Sequence, residues 1–83
     1  MPDFNISYKG SLSTEMEHLE SGQKILTDAP IDNEGLGRKF SPTDLVASSL
    51  GSCLLTIMGI VARRHQINMN GSYAKIQKIM EQI

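Results

Sequence analysis

Phe40-Ser-Pro-Thr-Asp-Leu-Val-Ala-Ser-Ser-Leu-Gly-Ser-Cys53-Leu-Leu-Thr-Ile-Met-Gly-Ile-Val-Ala62 is the stretch on which the fold turns. It predicts one long helix. Ser41 suits the N-cap, because its hydroxyl can accept a bond from an orphan amide of the first turn. Pro42 suits the first helical position, where a missing N–H costs nothing. Asp44 follows Ser41 by three residues, a short-armed capping box whose charge complements the helix N-terminus. The helix is expected to run to about Arg64 or His65, basic residues that suit its C-terminal end. Between Asp44 and Arg63 it has no wide charged face, and a helix apolar all round belongs in a core or a membrane. Ser48, Ser49, Gly51, Ser52, Thr56 and Gly59 interrupt the run, which points to the buried central helix of a soluble protein and not to a membrane span. Ser48, Ser52, Thr56 and Gly59 form a stripe of small residues suited to close approach. Cys53 falls beside it, on a face with Val46, Ser49, Leu50, Ile57 and Ile60.

The rest of the chain is small for such a helix. Its 83 residues make one domain, 1–83, at most. A chain of this size buries only about 60% of its unfolded surface. Cover for the helix is therefore expected from a second subunit or from a longer fold. Eight basic and nine acidic residues give a net charge of −1, which points to neither nucleic acid nor an anionic membrane. Met1-Pro-Asp-Phe4 lacks the basic start and apolar run of a signal peptide. The one cysteine cannot form an internal disulfide, which fits a reducing, cytoplasmic setting or a reactive thiol.

Ahead of the helix the pattern has period two. Phe4, Ile6 and Tyr8 alternate with Asn5 and Ser7, giving a half-buried strand over 3–9. Lys9-Gly10-Ser11 turns the chain. Residues 12–19 alternate again, Glu20-Ser21-Gly22 turns once more, and 23–27 form a short third strand. The expected result is an antiparallel meander. Residues 28–39 form a loop punctuated by Pro30, Asp32-Asn33, Gly35 and Gly37, and loops of that length are functional suspects. After the helix, 65–71 turn the chain. In the tail, Tyr73, Ile76, Ile79 or Met80, and Ile83 have helical spacing, although 76–80 is short enough for a strand. The last residues, Met80-Glu-Gln-Ile83, read as an interruption of a longer sequence.

The words Ser41-Pro-Thr-Asp-Leu45 leading to Cys53 resemble the signature of the OsmC/Ohr family of thiol-dependent hydroperoxide reductases. Gly22 with Leu26-Thr-Asp-Ala-Pro30, and Ala62-Arg-Arg-His-Gln-Ile67, are similar to the OsmC-like branch. The resemblance implies an α+β fold: a three-stranded N-terminal meander, the long central helix, a further strand over 72–80, and a second half that this sequence does not match. It also implies an intertwined homodimer with two sites at the interface. By resemblance Cys53 is the peroxidatic nucleophile, which attacks an organic hydroperoxide and becomes a sulfenic acid. A second cysteine then forms a disulfide, and a dithiol reductant, lipoyl-type in known members, reopens it. No cofactor or metal is implied. Three departures stand out: no second cysteine, Thr43 where the family has Glu at the helix start, and Lys9 but no Arg in the first hairpin.

Each site residue also has a plainer reading. An apolar-flanked cysteine in mid-helix is usually buried and inert. It lies too deep for the helix N-terminus to lower its pKa, so a cation is needed. Arg38, with Lys39, precedes the helix and is the candidate thiolate stabiliser; alternatively both are exposed loop charges. Asp44 is a helix cap before it is a catalytic acid. His18 and His65, with one cysteine, make a poor metal site, since zinc wants three or four ligands. Two classes of function remain open: a thiol peroxidase acting through Cys53, and a non-catalytic dimerising or ligand-binding member with a structural cysteine.

Overall fold

The structure is a computed structural model that describes residues 3–79. Three strands come first: β1 (Phe4–Gly10), β2 (Ser13–His18) and β3 (Lys24–Asp28). They form one antiparallel sheet in the order β1-β2-β3. The expected meander is present, with boundaries shifted by a residue or so. Its first turn is a two-residue loop with Ser11 and Leu12 both at positive φ, 54° and 59°. Such a turn matches the twist of the strands it joins. The register aligns Ile6 with Met16 and Met16 with Ile25, so one face of the sheet is an apolar row. On the other face Asn5 meets Glu17 and Glu17 meets Lys24.

The loop after β3 holds a short 3-10 turn, Ile31–Asn33, and closes on itself. Gly37 N–H donates to the Ala29 carbonyl at 3.1 Å, and Gly35 N–H to the Pro30 carbonyl at 2.9 Å. At Gly35 a Cβ would lie 1.9 Å from the Ala29 oxygen, so no other residue fits. Asp28 N–H donates to the Phe40 carbonyl at 3.1 Å, bringing the chain back to β3 as it reaches Ser41.

Helix α1 (Pro42–Arg64) begins on the proline that the sequence placed first. Ser41 is buried and its Oγ lies 3.1 Å from Thr43 Oγ1. At the other end Gln66 takes φ 57°, while Ile67 N–H reaches the Ala62 carbonyl at 2.8 Å and Gln66 N–H the Arg63 carbonyl at 3.2 Å. That is a Schellman stop, with Gln66 where glycine is usual. By length and mean hydropathy (2.0) α1 would also qualify as a membrane-crossing segment.

Helix α1 is left open by this chain, as the shortage of cover in the sequence leads one to expect: among its residues only Gly51 is buried, and Leu50 is 69% exposed. Eighty-three residues cannot wrap a 23-residue helix and also fold a sheet. One expectation requires correction. The tail is neither helix nor strand over 72–79. Instead it runs back along α1, with Ile76 against Gly51 and Lys78 Nζ 2.6 Å from Asp44 Oδ1. An extended segment becomes a strand only when a sheet edge supplies hydrogen bonds, and 72–79 pair with none of the three strands. Of the helically spaced residues described, Ile76 meets α1 at Gly51, while Tyr73 and Ile79 are exposed. Met80, the last residue of the expected strand, lies outside the described residues.

The chain divides into two compact units, Met1–Thr43 and Asp44–Ile83. The first carries the sheet and its loop, the second most of α1 and the tail.

Candidate functional site

Cys53 sits in the middle of α1 and is exposed in this chain. The helix places it one turn from Ser49 and Leu50 and one turn from Ile57. The nearby hydroxyls are committed to the helix itself. Ser49 Oγ donates to the Val46 carbonyl at 2.7 Å, and Thr56 Oγ1 to the Ser52 carbonyl at 2.8 Å. Side chains of this type mid-helix satisfy themselves on the preceding turn. What remains around the thiol on its own helix is mainly apolar and open. Asp44 is nine residues earlier on α1, roughly 13 Å along the axis at the usual rise, and it is ion-paired to Lys78. That pairing suits a residue that anchors the helix start.

Arg38 is held in the first unit by a carboxylate that sequence reading passed over. Asp28, 1% exposed, accepts from Arg38 Nε at 2.9 Å, Arg38 Nη2 at 3.2 Å and the Arg38 backbone N–H at 3.2 Å. The Ser13 hydroxyl donates to the same carboxylate. Ser13 and Asp28 are cross-strand partners, so the register of β2 and β3 creates that contact. Hydrogen bonds from Arg38 and Ser13 stabilise the ionised form and lower the Asp28 pKa from 3.8 to about 2. The Arg38 pKa is raised in turn, first through its hydrogen bond to Asp28. The signal in the sequence was an acid and an arginine ten residues apart, bracketing a loop rich in turn residues. Nothing in periodicity reveals that they meet.

The histidine nearest the sheet is engaged locally. Ser21 N–H donates to His18 Nδ1 at 3.2 Å and Ser21 Oγ lies 2.6 Å from the same atom, tying the turn between β2 and β3. Among the described residues no group of three or more His, Cys, Asp or Glu comes together to hold a metal.

A three-stranded meander leading through a closed loop into one long helix with a mid-helix cysteine defines an OsmC-type α+β architecture. No protein-family model and no curated protein matches the chain. A solved structure from Psychrobacter arcticus 273-4 does, provisionally described as an osmotic stress induced and detoxification response protein. It is 49% identical, superposes with a TM-score of 0.93, and matches 98% of this chain. Over nearly its whole length the chain is thus similar to an OsmC-like protein. It spans 59% of the length of that related protein.

Proposed function

We propose that this chain is part of an OsmC-like thiol peroxidase in which Cys53 reduces organic hydroperoxides. The observation that supports it most is an exposed Cys53 at the centre of the family helix. The thiolate sulfur attacks one peroxide oxygen, forming an S–O bond as the O–O bond breaks. The leaving alkoxide takes a proton from water and departs as the alcohol. Sulfur is oxidised by two electrons and the peroxide is reduced by two. The sulfenic acid then condenses with one thiol of a dithiol, releasing water. The second thiol displaces the Cys53 thiolate by exchange and leaves as a cyclic disulfide. That route restores Cys53 without a second protein cysteine, which this sequence lacks.

Arg38 is the proposed cation for the thiolate; its Asp28 partner would hold it in one orientation. The working form is proposed to be a cytoplasmic homodimer, in keeping with the exposed apolar residues of α1. A second reading, a non-catalytic binding member, is favoured by the single cysteine and by Thr43 at the helix start. Mass spectrometry after cumene hydroperoxide separates the two. The peroxidase reading expects one added oxygen on the Cys53 peptide, or a mixed disulfide when thiol is present, and neither in Cys53→Ser. An unmodified Cys53 under conditions that oxidise the methionines would overturn the peroxidase reading and favour the non-catalytic one.

A further inference from the structure

A cavity of about 320 Å³ opens in the first unit at the Ser13 end of the sheet. Lys9, Arg38 and Lys39 line it together with the hydroxyl residues Ser11, Ser13 and Thr14, and no carboxylate does. Two acids stand nearby. Asp28 takes two side-chain N–H groups of Arg38, leaving three of its five for another acceptor. Glu15 lies 3.7 Å from Lys9 Nζ, a loose and half-exposed pairing. Lys39 has no ion pair among the described residues. Three cations against two carboxylates leave the rim with an excess of one positive charge.

The arginine is also pre-oriented. Its guanidinium is clamped on one edge by a buried acid, so its remaining donors lose little freedom on binding. Ser13 spends its proton on Asp28, whereas Ser11 keeps its hydroxyl hydrogen for an incoming acceptor. A planar donor fork flanked by two ammonium groups suits a tetrahedral oxyanion, which offers several acceptor oxygens and more than one negative charge. The volume lies at the small end of ligand cavities.

We propose that this cavity binds a small phosphoryl oxyanion, held by Lys9, Lys39 and the free edge of Arg38. Lys9 and Lys39, the residues varied below, have no part in the Cys53 chemistry proposed above. Calorimetric titration of the chain with inorganic pyrophosphate at low ionic strength tests it. Saturable one-to-one binding is expected, weakening as salt rises because the charges are exposed. Replacing both lysines, Lys9→Ala with Lys39→Ala, should weaken it by roughly a hundredfold, about tenfold for each charge-assisted contact. Glu15→Gln should tighten it, since Lys9 loses its competitor. No binding to the parent chain, parent-like affinity in the double variant, or no gain in Glu15→Gln would each overturn the proposal. Displacement by acetate as effectively as by phosphate would overturn the phosphoryl assignment.

Discussion

The junction around Asp28 and the surface of α1 are opposites. At the junction the buried side chains are polar: Thr27, Asp28 and Ser41. Each has a partner there: Thr27 Oγ1 lies 2.5 Å from Thr14 Oγ1, and Asp28 receives four hydrogen bonds. Along α1 the side chains are apolar, and Leu50, Leu54, Ile57 and Ile60 are all exposed. Among the described residues no hydrophobic side chain is buried. The chain thus completes its polar chemistry by itself and leaves its apolar chemistry incomplete. Hydrogen bonds are short-ranged and can be closed by a ten-residue loop. Hydrophobic burial scales with area, and this chain has too little to cover its own helix.

Three outcomes would sharpen or break that contrast. The largest concerns the apolar side. Exposed apolar patches on soluble monomers rarely exceed a few hundred Å², so the chain should self-associate, as a symmetric dimer. Light scattering at micromolar concentration should report twice the chain mass. A monodisperse folded monomer would show that the helix tolerates its exposure.

The next concerns the polar side. The Asp28 pKa falls from 3.8 to about 2 on folding. A depressed folded-state value stabilises the native form above the unfolded pKa, and that stabilisation is lost as pH drops through the folded one. Acid titration followed by circular dichroism should therefore show β-sheet loss steepening between about pH 4 and pH 2. Asp28→Asn should lower the thermal midpoint at neutral pH, by more than any other single change described here. It should also flatten the acid transition. An unchanged acid profile in Asp28→Asn would mean that other carboxylates govern it.

The smallest is at the hinge between the two behaviours. Ser41→Ala should cost roughly 1 kcal/mol, the usual loss of an N-cap hydroxyl. Thermal unfolding identical to the parent would show that Ser41 contributes nothing to starting α1.

Much of this molecule was readable residue by residue. Period-two alternation placed the meander, and Ser41-Pro42 set the start of α1. The basic end of the helix was visible in Arg63 and Arg64. These signals are local: each depends on residues within a turn or one strand of each other. The stripe of small residues was only partly legible. Ser48 and Gly59 lie on the half-buried side, but Ser52 and Thr56 are exposed, and Gly51 is the position that Ile76 presses against. A helix's own sequence shows which residues are small, not which neighbour arrives.

The candidate site divides the same way. Cys53 was singled out by being the sole cysteine on a recognisable helix, and Asp44 by standing three residues after a cap. The pairing of Arg38 with Asp28 depended on how the loop folds back, and Asp44 with Lys78 on where the tail runs. Each joins groups at least ten residues apart in the sequence, and one partner of each pair, Arg38 or Lys78, lies on backbone that is neither helix nor strand. The sequence by itself determined the three strands, the long helix and their order, because periodicity, capping and turn chemistry act over a few residues; the words from Ser41 to Cys53 carried the resemblance to OsmC-like proteins. Only the tertiary structure decided which charges meet and which apolar surfaces stay open. Those outcomes depend on loop closure and on the balance of area between a long helix and a short chain.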